Sequence, residues 1–300
     1  MTPKRKLPVW RSLLFVPVNV DKFVDTAHTR EADGIQLDLE DSVPPSEKAH
    51  ARTLIQAAAA KVSRNGADVV VRINRPLSLA IPDIEACVSP AIAALALPKV
   101  MGVDHIRLLS ELVAELEEKQ GMEVGTTRFI AMVETAEAYF HMADIAKSDP
   151  RVVALALGAE DFATSVGMAA EPEFLFGPKQ TMLIAAAAAG VLPLGFVGSI
   201  AEFRDIEGLR AVIRRSRKMG FRGSGAIHPN QVKVMNEEFA PQPSEVAHAR
   251  RVVDAYAEAY KRGRGAVTLD GRMIDVPIVE RAQALLDWQA ALDERRQRTA

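Results

Sequence analysis

The stretch Val152-Val-Ala-Leu-Ala-Leu-Gly-Ala-Glu-Asp161 decides how the chain is read. Its apolar residues follow one another without a polar break, the pattern of a strand buried on both faces, as in a parallel sheet covered by helices. The run stops at a glycine, and two carboxylates follow at once. Outward from it, short runs rich in apolar or β-branched residues recur at Ser12–Val16, Gly34–Leu39, Asp68–Ile73, Ala93–Leu97, Phe129–Val133, Leu192–Val197 and Gly225–Ile227. The segments between them are long enough for helical crossovers, and Val103–Glu118 and Ile206–Met219 carry helical periodicity. Eight β/α units in roughly 250 residues make one α/β domain, a (β/α)8 TIM barrel. An open doubly wound sheet is the competitor, but neither G-x-x-x-x-G-K-[ST] nor a strand followed by G-x-G-x-x-G occurs.

The barrel is expected over residues 1–235, and residues 236–300 read as a C-terminal helical extension. Helices are expected at Ser244–Lys261 and Pro277–Arg296, separated by a break at Gly263 and Gly265. With no strand set for a core of its own, this tail is expected to pack on the barrel or on a neighbouring subunit. The alanine run Ala185–Ala189 reads as a helix packed close to the barrel.

Composition narrows the function classes. The 300 residues are 48% hydrophobic and 25% charged, as in a soluble globular protein, and the net charge of −2 offers no general attraction to nucleic acid or an anionic membrane. The lone Cys87 rules out an internal disulfide and suits a reducing, cytoplasmic compartment. No apolar run has the length of a membrane span or the layout of a signal peptide.

A barrel builds its site from the C-terminal ends of its strands and the loops just after them. Polar groups collect at those positions here: Asp38, Glu40 and Asp41, then Arg72 and Asn74, Lys99, Glu134 and Thr135, Glu160 and Asp161, and His228. So many charges at one mouth would repel or stay unpaired without a ligand. Glu134 and Asp161 follow adjacent strands, so their carboxylates can share a hard cation; carboxylate oxygens, waters and substrate oxygens are how Mg²⁺ is usually held. No His/Cys cluster supports zinc. Arg72 offers a planar fork for a substrate carboxylate or a developing enolate oxygen. Gly158 and Ala159 let backbone N–H groups approach a bound carboxylate, with Glu160 and Asp161 beside them. Glu40 and Asp41 are placed to hold Arg72 and metal-bound waters.

These residues resemble the citrate lyase β-subunit and malyl-CoA/citramalyl-CoA lyase group of the HpcH/HpaI aldolase superfamily. The likeness runs through Arg11-Ser-Leu-Leu-Phe-Val-Pro17, Asp38-Leu-Glu-Asp-Ser-Val43, Val71-Arg-Ile-Asn74, Leu97-Pro-Lys99, Val133-Glu-Thr-Ala136, Gly158-Ala-Glu-Asp161, Ile227-His-Pro-Asn-Gln231 and Asp270-Gly-Arg-Met-Ile-Asp275. Each tag is short, but their order and spacing span most of the chain. The resemblance implies a Mg²⁺-dependent barrel enzyme with the metal on Glu134 and Asp161 and the substrate carboxylate or enolate on Arg72. It implies cleavage or formation of 3-hydroxyacyl thioesters and assembly as a homotrimer or a hexamer. It also implies an acid/base role for Asp275, reaching over a neighbour's barrel. A 2-keto acid aldolase, a thioesterase, and a non-catalytic lyase-complex subunit or scaffold are the alternative readings. The chain departs from the family pattern in three places: Gly195 stands where an acidic residue is common, Ser224 where lysine is usual, and Val18-Asn19 where the first loop commonly has glycine.

Overall fold

The computed structural model describes residues 7–201 and 204–299. Eight parallel strands form one sheet: β1 Ser12–Pro17, β2 Gly34–Asp38, β3 Asp68–Arg72, β4 Ala94–Leu97, β5 Arg128–Val133, β6 Val152–Leu157, β7 Leu192–Leu194 and β8 Ser224–Ala226. The sheet order is β7-β6-β5-β4-β3-β2-β1-β8. A parallel bridge between Leu194 and Gly223 joins its two ends, so the expected (β/α)8 barrel is what forms.

Closure between β7 and β8 is the weakest seam, and its cause is local. Pro193 has no N–H to give the ladder, and Gly195 turns out of the strand at φ +137°. The expected strand to Val197 therefore stops at Leu194. Arg222 still donates to the Pro193 carbonyl at 3.3 Å, and Gly195 donates to Gly223 at 2.7 Å. At the end of β8, the Ile227 N–H is taken by the Gln231 side chain at 2.9 Å, so the last strand ends at Ala226 rather than Ile227.

Side-chain alternation sorts each strand into two faces. Leu14, Val16, Ile35, Leu37, Val69 and Val71 join the large buried cluster shared with the surrounding helices. Their neighbours Leu13, Phe15, Gln36 and Arg72 line a cavity within the barrel instead. Register fixes which strand ends meet: Asp38 lies opposite Arg72 across the β2–β3 ladder.

The chain divides into two compact units, one running to Phe239 and the other from Ala240. In the second, helices Pro243–Lys261 and Val276–Thr299 flank an antiparallel hairpin, β9 Val267–Leu269 and β10 Arg272–Ile274. Asp270 and Gly271 turn it with φ of 51° and 75°, the conformation that two-residue hairpin turns demand. Contrary to the expectation of a tail without strands or core, Ile274 is buried with Ala249, Val252 and Ala282 in a small cluster of this unit's own. Among the described residues, no helix is long and apolar enough to cross a membrane.

Candidate active site

Arg72 ends β3, and its guanidinium is gripped from β2. Nε and Nη2 donate to the two carboxylate oxygens of Asp38, each at 2.7 Å. Nη1 lies 2.9 Å from Glu40 Oε2 and 3.2 Å from Asp41 Oδ2, and the Phe15 ring lies 5.2 Å from the guanidinium carbon. The fork expected to receive substrate is thus occupied by Asp38, because the register sets the two strand ends side by side. With Nη1 facing Glu40 and Asp41, only the second Nη2 hydrogen and the face of Arg72 remain to a ligand. Burial works against the Asp38 charge, yet the Arg72 hydrogen bonds hold its carboxyl below the usual range. Breaking a buried pair of this kind typically costs about 3–5 kcal/mol.

Lys99 follows β4 in the left-handed region, at φ +46°. A non-glycine residue held there stores strain that neighbouring contacts must offset, a frequent feature of functional sites. Here the contact is visible: the Lys99 N–H donates to Glu134 Oε2 at 2.7 Å. The Lys99 ammonium lies 2.8 Å from Glu40 Oε1 and 3.4 Å from Asp161 Oδ1, which ties the ends of three strands together. Burial pushes the Glu40 carboxyl up, against the opposing pull of Arg72 and Lys99.

Glu134 follows β5 and is 3% exposed. Burial, then the nearby Glu40 carboxylate, push its carboxyl up to about 7, with Asp161 adding to the rise. Asp161 lies in the first turn of helix Ala159–Val166, just after β6. Glycine at 158 is required by this packing: a Cβ there would lie 2.5 Å from Glu134 Oε1. The Gly158 N–H is not free for a substrate carboxylate, since it donates to Val133 O at 3.0 Å. That expectation passes to the N–H groups of Ala159, Glu160 and Asp161, which as first-turn donors have no partner within their own helix.

The donor set fits a hard cation. Among the described residues no group of three or more His, Cys, Asp or Glu side chains is arranged to hold a metal. Mg²⁺ does not need one; it is usually bound through one or two carboxylates, waters and substrate oxygens. A carboxyl raised to about 7 by burial and then by its carboxylate neighbours marks a place where a cation would relieve repulsion.

Four contributors carried no assigned role in the sequence reading. Asp38 and Lys99 are two, and Lys179 is the third. Its buried ammonium donates to the carbonyls of Phe196 and Gly198, at 2.6 and 2.7 Å. Burial lowers its pKa to about 7, opposed by Glu160. The signal was its spacing with Leu175, Met182 and Ala186 on the buried face of helix Pro172–Ala189. Ser199 in turn donates a short hydrogen bond to Glu160. The fourth, Gln36, lies on the cavity wall. Other polar groups at the strand ends do structural work: Asn74 bonds Leu39 and Asp83, while Thr135 and His228 cap helices. Asp275 precedes helix Val276–Thr299, and its carbonyl accepts from Ile278 and Val279.

A (β/α)8 barrel with a carboxylate cluster at the mouth defines the class of protein. The family follows from comparison with known proteins. The HpcH/HpaI aldolase/citrate lyase model matches residues 11–229, and the chain belongs to that family. It is 34% identical over 283 residues to the citrate lyase subunit beta of Leuconostoc mesenteroides subsp. cremoris, covering 92% of each chain. It is 32% identical to a (3S)-malyl-CoA thioesterase of Cereibacter sphaeroides, covering 94% of this chain and 95% of the other. The CitE protein of Mycobacterium tuberculosis, solved with magnesium, acetoacetate and coenzyme A, superposes with a TM-score of 0.73 at 28% identity. That match covers 95% of this chain and 99% of the other. By family, the chain is a carbon–carbon lyase.

Proposed function

We propose that this chain is a Mg²⁺-dependent lyase that cleaves, or in reverse forms, the C–C bond of a 3-hydroxyacyl-CoA thioester of the malyl-CoA or citramalyl-CoA type. The observation that carries the reading is the Glu134 carboxyl beside the barrel cavity, packed against Gly158 and raised by burial and then by Glu40 and Asp161. Glu134 and Asp161 hold the ion, which when bound polarises the substrate oxygen that becomes a carbonyl. The helix start at Ala159–Asp161 orients the acid's carboxylate through its N–H groups. Asp38, Glu40 and Asp41 fix Arg72 so that its second Nη2 hydrogen and its face meet the enolate oxygen of the leaving thioester without reorganising. Lys99 keeps Glu40 and Asp161 from repelling one another. The substrate hydroxyl gives its proton to a base as the C–C bond breaks, and Asp275 is assigned, on the family resemblance, the delivery of a proton to the carbon of the leaving thioester enolate. Assembly as a homotrimer or hexamer belongs to the same proposal and is read by light scattering.

The experiment is turnover of malyl-CoA and citramalyl-CoA by the purified chain with Mg²⁺, scoring glyoxylate or pyruvate separately from free CoA. Keto acid together with an intact shorter acyl-CoA supports the lyase. Free CoA without keto acid supports hydrolysis, the second reading, which the (3S)-malyl-CoA thioesterase relative favours. No turnover of any CoA ester by the isolated chain overturns both.

A further inference from the structure

Lys99 meets the carboxylate cluster through its backbone and through its side chain, and the two work in opposite directions. Its backbone N–H, held in the left-handed region at φ +46°, donates to Glu134 Oε2 at 2.7 Å and fixes that carboxylate. Its ammonium lies 2.8 Å from Glu40 Oε1 and 3.4 Å from Asp161 Oδ1.

The two arms of the ammonium differ. Glu40 is held from both sides, since its Oε2 lies 2.9 Å from Arg72 Nη1. Among the described residues the Asp161 carboxylate has no ion-pair partner but Lys99, and that contact is the longer one. Both side chains are partly open to solvent there, at 31% and 41% exposure, where an ion pair holds weakly. Burial works against the Lys99 charge, but the hydrogen bond to Glu40 and then the charges of Glu40, Glu134 and Asp161 more than offset it. The ammonium is thus a counter-cation to the same two carboxylates proposed above to hold Mg²⁺.

A carboxylate oxygen that ligates an ion cannot keep an ammonium against it without bringing two positive charges together. For a divalent ion and a unit charge about 4 Å apart, even bulk-water screening leaves a repulsion worth roughly tenfold or more in affinity. Glu40 keeps the ammonium nearby even when Asp161 is given up, so the repulsion lessens but persists.

We propose that Lys99 sets the Mg²⁺ affinity of the site: its ammonium competes with the ion for Asp161, while its backbone N–H holds Glu134 for the ion. This rests on the metal-assisted reading above, in which Glu134 and Asp161 are the ion's ligands. One side chain thereby keeps the carboxylates from repelling one another without the ion and weakens the ion's hold once it binds.

The test is calorimetry of Mg²⁺ binding to the full chain, wild type against Lys99→Met, Lys99→Gln and Lys99→Arg. Every variant keeps the backbone N–H. Methionine and glutamine remove the charge, and arginine keeps it. Both neutral variants should bind Mg²⁺ about tenfold more tightly than the wild type. They should also melt lower without the ion, because Glu40 and Asp161 lose their counter-charge. Lys99→Arg should stay within about threefold of the wild type, since the competing charge remains. A side chain that merely braced the site would give the opposite sign, with weaker Mg²⁺ binding in the neutral variants. That result overturns the proposal, as do an unchanged affinity and a gain that Lys99→Arg shares. Failure of both neutral variants to fold overturns it too, because the ammonium would then be holding the cluster together rather than competing within it. A wild type that binds no Mg²⁺, or a Glu134→Gln variant that binds it equally well, sinks the metal-assisted reading itself, and these two controls tell that case apart.

Discussion

The Glu134 carboxylate is seated against the backbone of Gly158, so close that a methyl group at 158 would meet Oε1 at 2.5 Å and Cγ at 2.7 Å. Glu134 cannot simply swing away, because its other oxygen accepts the Lys99 N–H at 2.7 Å. Gly158→Ala should therefore displace the carboxylate rather than unfold the barrel. We expect kcat/KM to fall about 100-fold, the usual effect of a misplacement near 1 Å. Mg²⁺ affinity should drop by about tenfold, read by calorimetry. Normal Mg²⁺ affinity in this variant would remove Glu134 from the ion's shell.

Asp38 and Arg72 form a unit that neither residue serves alone. Arg72→Lys keeps the charge but loses the two-point grip on Asp38, and should cut kcat/KM about 100-fold, near 3 kcal/mol. Asp38→Asn leaves Arg72 in place with weaker hold and should cut it by roughly tenfold or more while sparing Mg²⁺ binding. Residues acting as one unit are non-additive, so the double variant should be little worse than Arg72→Lys. Multiplying losses would show that Asp38 does not act through Arg72.

The barrel was legible because parallel strands buried on both faces leave uninterrupted apolar runs, and Val152–Leu157 and Phe129–Val133 show it plainly. What failed was local: Pro193 and Gly195 cut β7 short, and the Gln231 side chain took the N–H of Ile227. The hairpin at Asp270-Gly271 was signalled by a turn dipeptide, but its three-residue strands are too short for an alternation pattern. In the site, Glu134 and Asp161 stood out because each charge directly follows a buried strand. The grip of Asp38 on Arg72 depends on register, which spacing within one strand does not reveal. Lys179 and Gln36 were hidden because each sits among apolar neighbours, where helix and strand patterns absorb a single polar residue.

Asp275 carries the acid/base assignment on family resemblance, so its test must separate chemistry from binding. Asp275→Asn should leave Mg²⁺ and pyruvate affinities intact and lower kcat by about 100-fold, the typical scale of a lost proton-transfer group. A variant with unchanged kcat would return Asp275 to a structural role at the start of its helix.

If Glu134 holds Mg²⁺ as proposed, its raised carboxyl makes that binding a proton-exchange reaction. Its ordinary value is 4.5, and burial with Glu40 beside it pushes it up to about 7 in the metal-free protein. The folded value lies above the unfolded one. The contribution to metal-free stability is therefore complete below about 4.5 and is lost as pH rises through about 7, reaching on the order of 3 kcal/mol. Mg²⁺ binds the ionised form and should restore stability most above pH 7. Below that value each Mg²⁺ must displace a proton, so its affinity should fall by up to about tenfold per pH unit. Calorimetry between pH 5.5 and 8 in buffers of different ionisation enthalpy reads both the slope and the proton released. Glu134→Gln should bind Mg²⁺ weakly with no such slope. An affinity that is flat with pH in the wild type would mean that Glu134 is already ionised without the metal, and that Glu40 and Asp161 are too well neutralised by Lys99 and Arg72 to raise it.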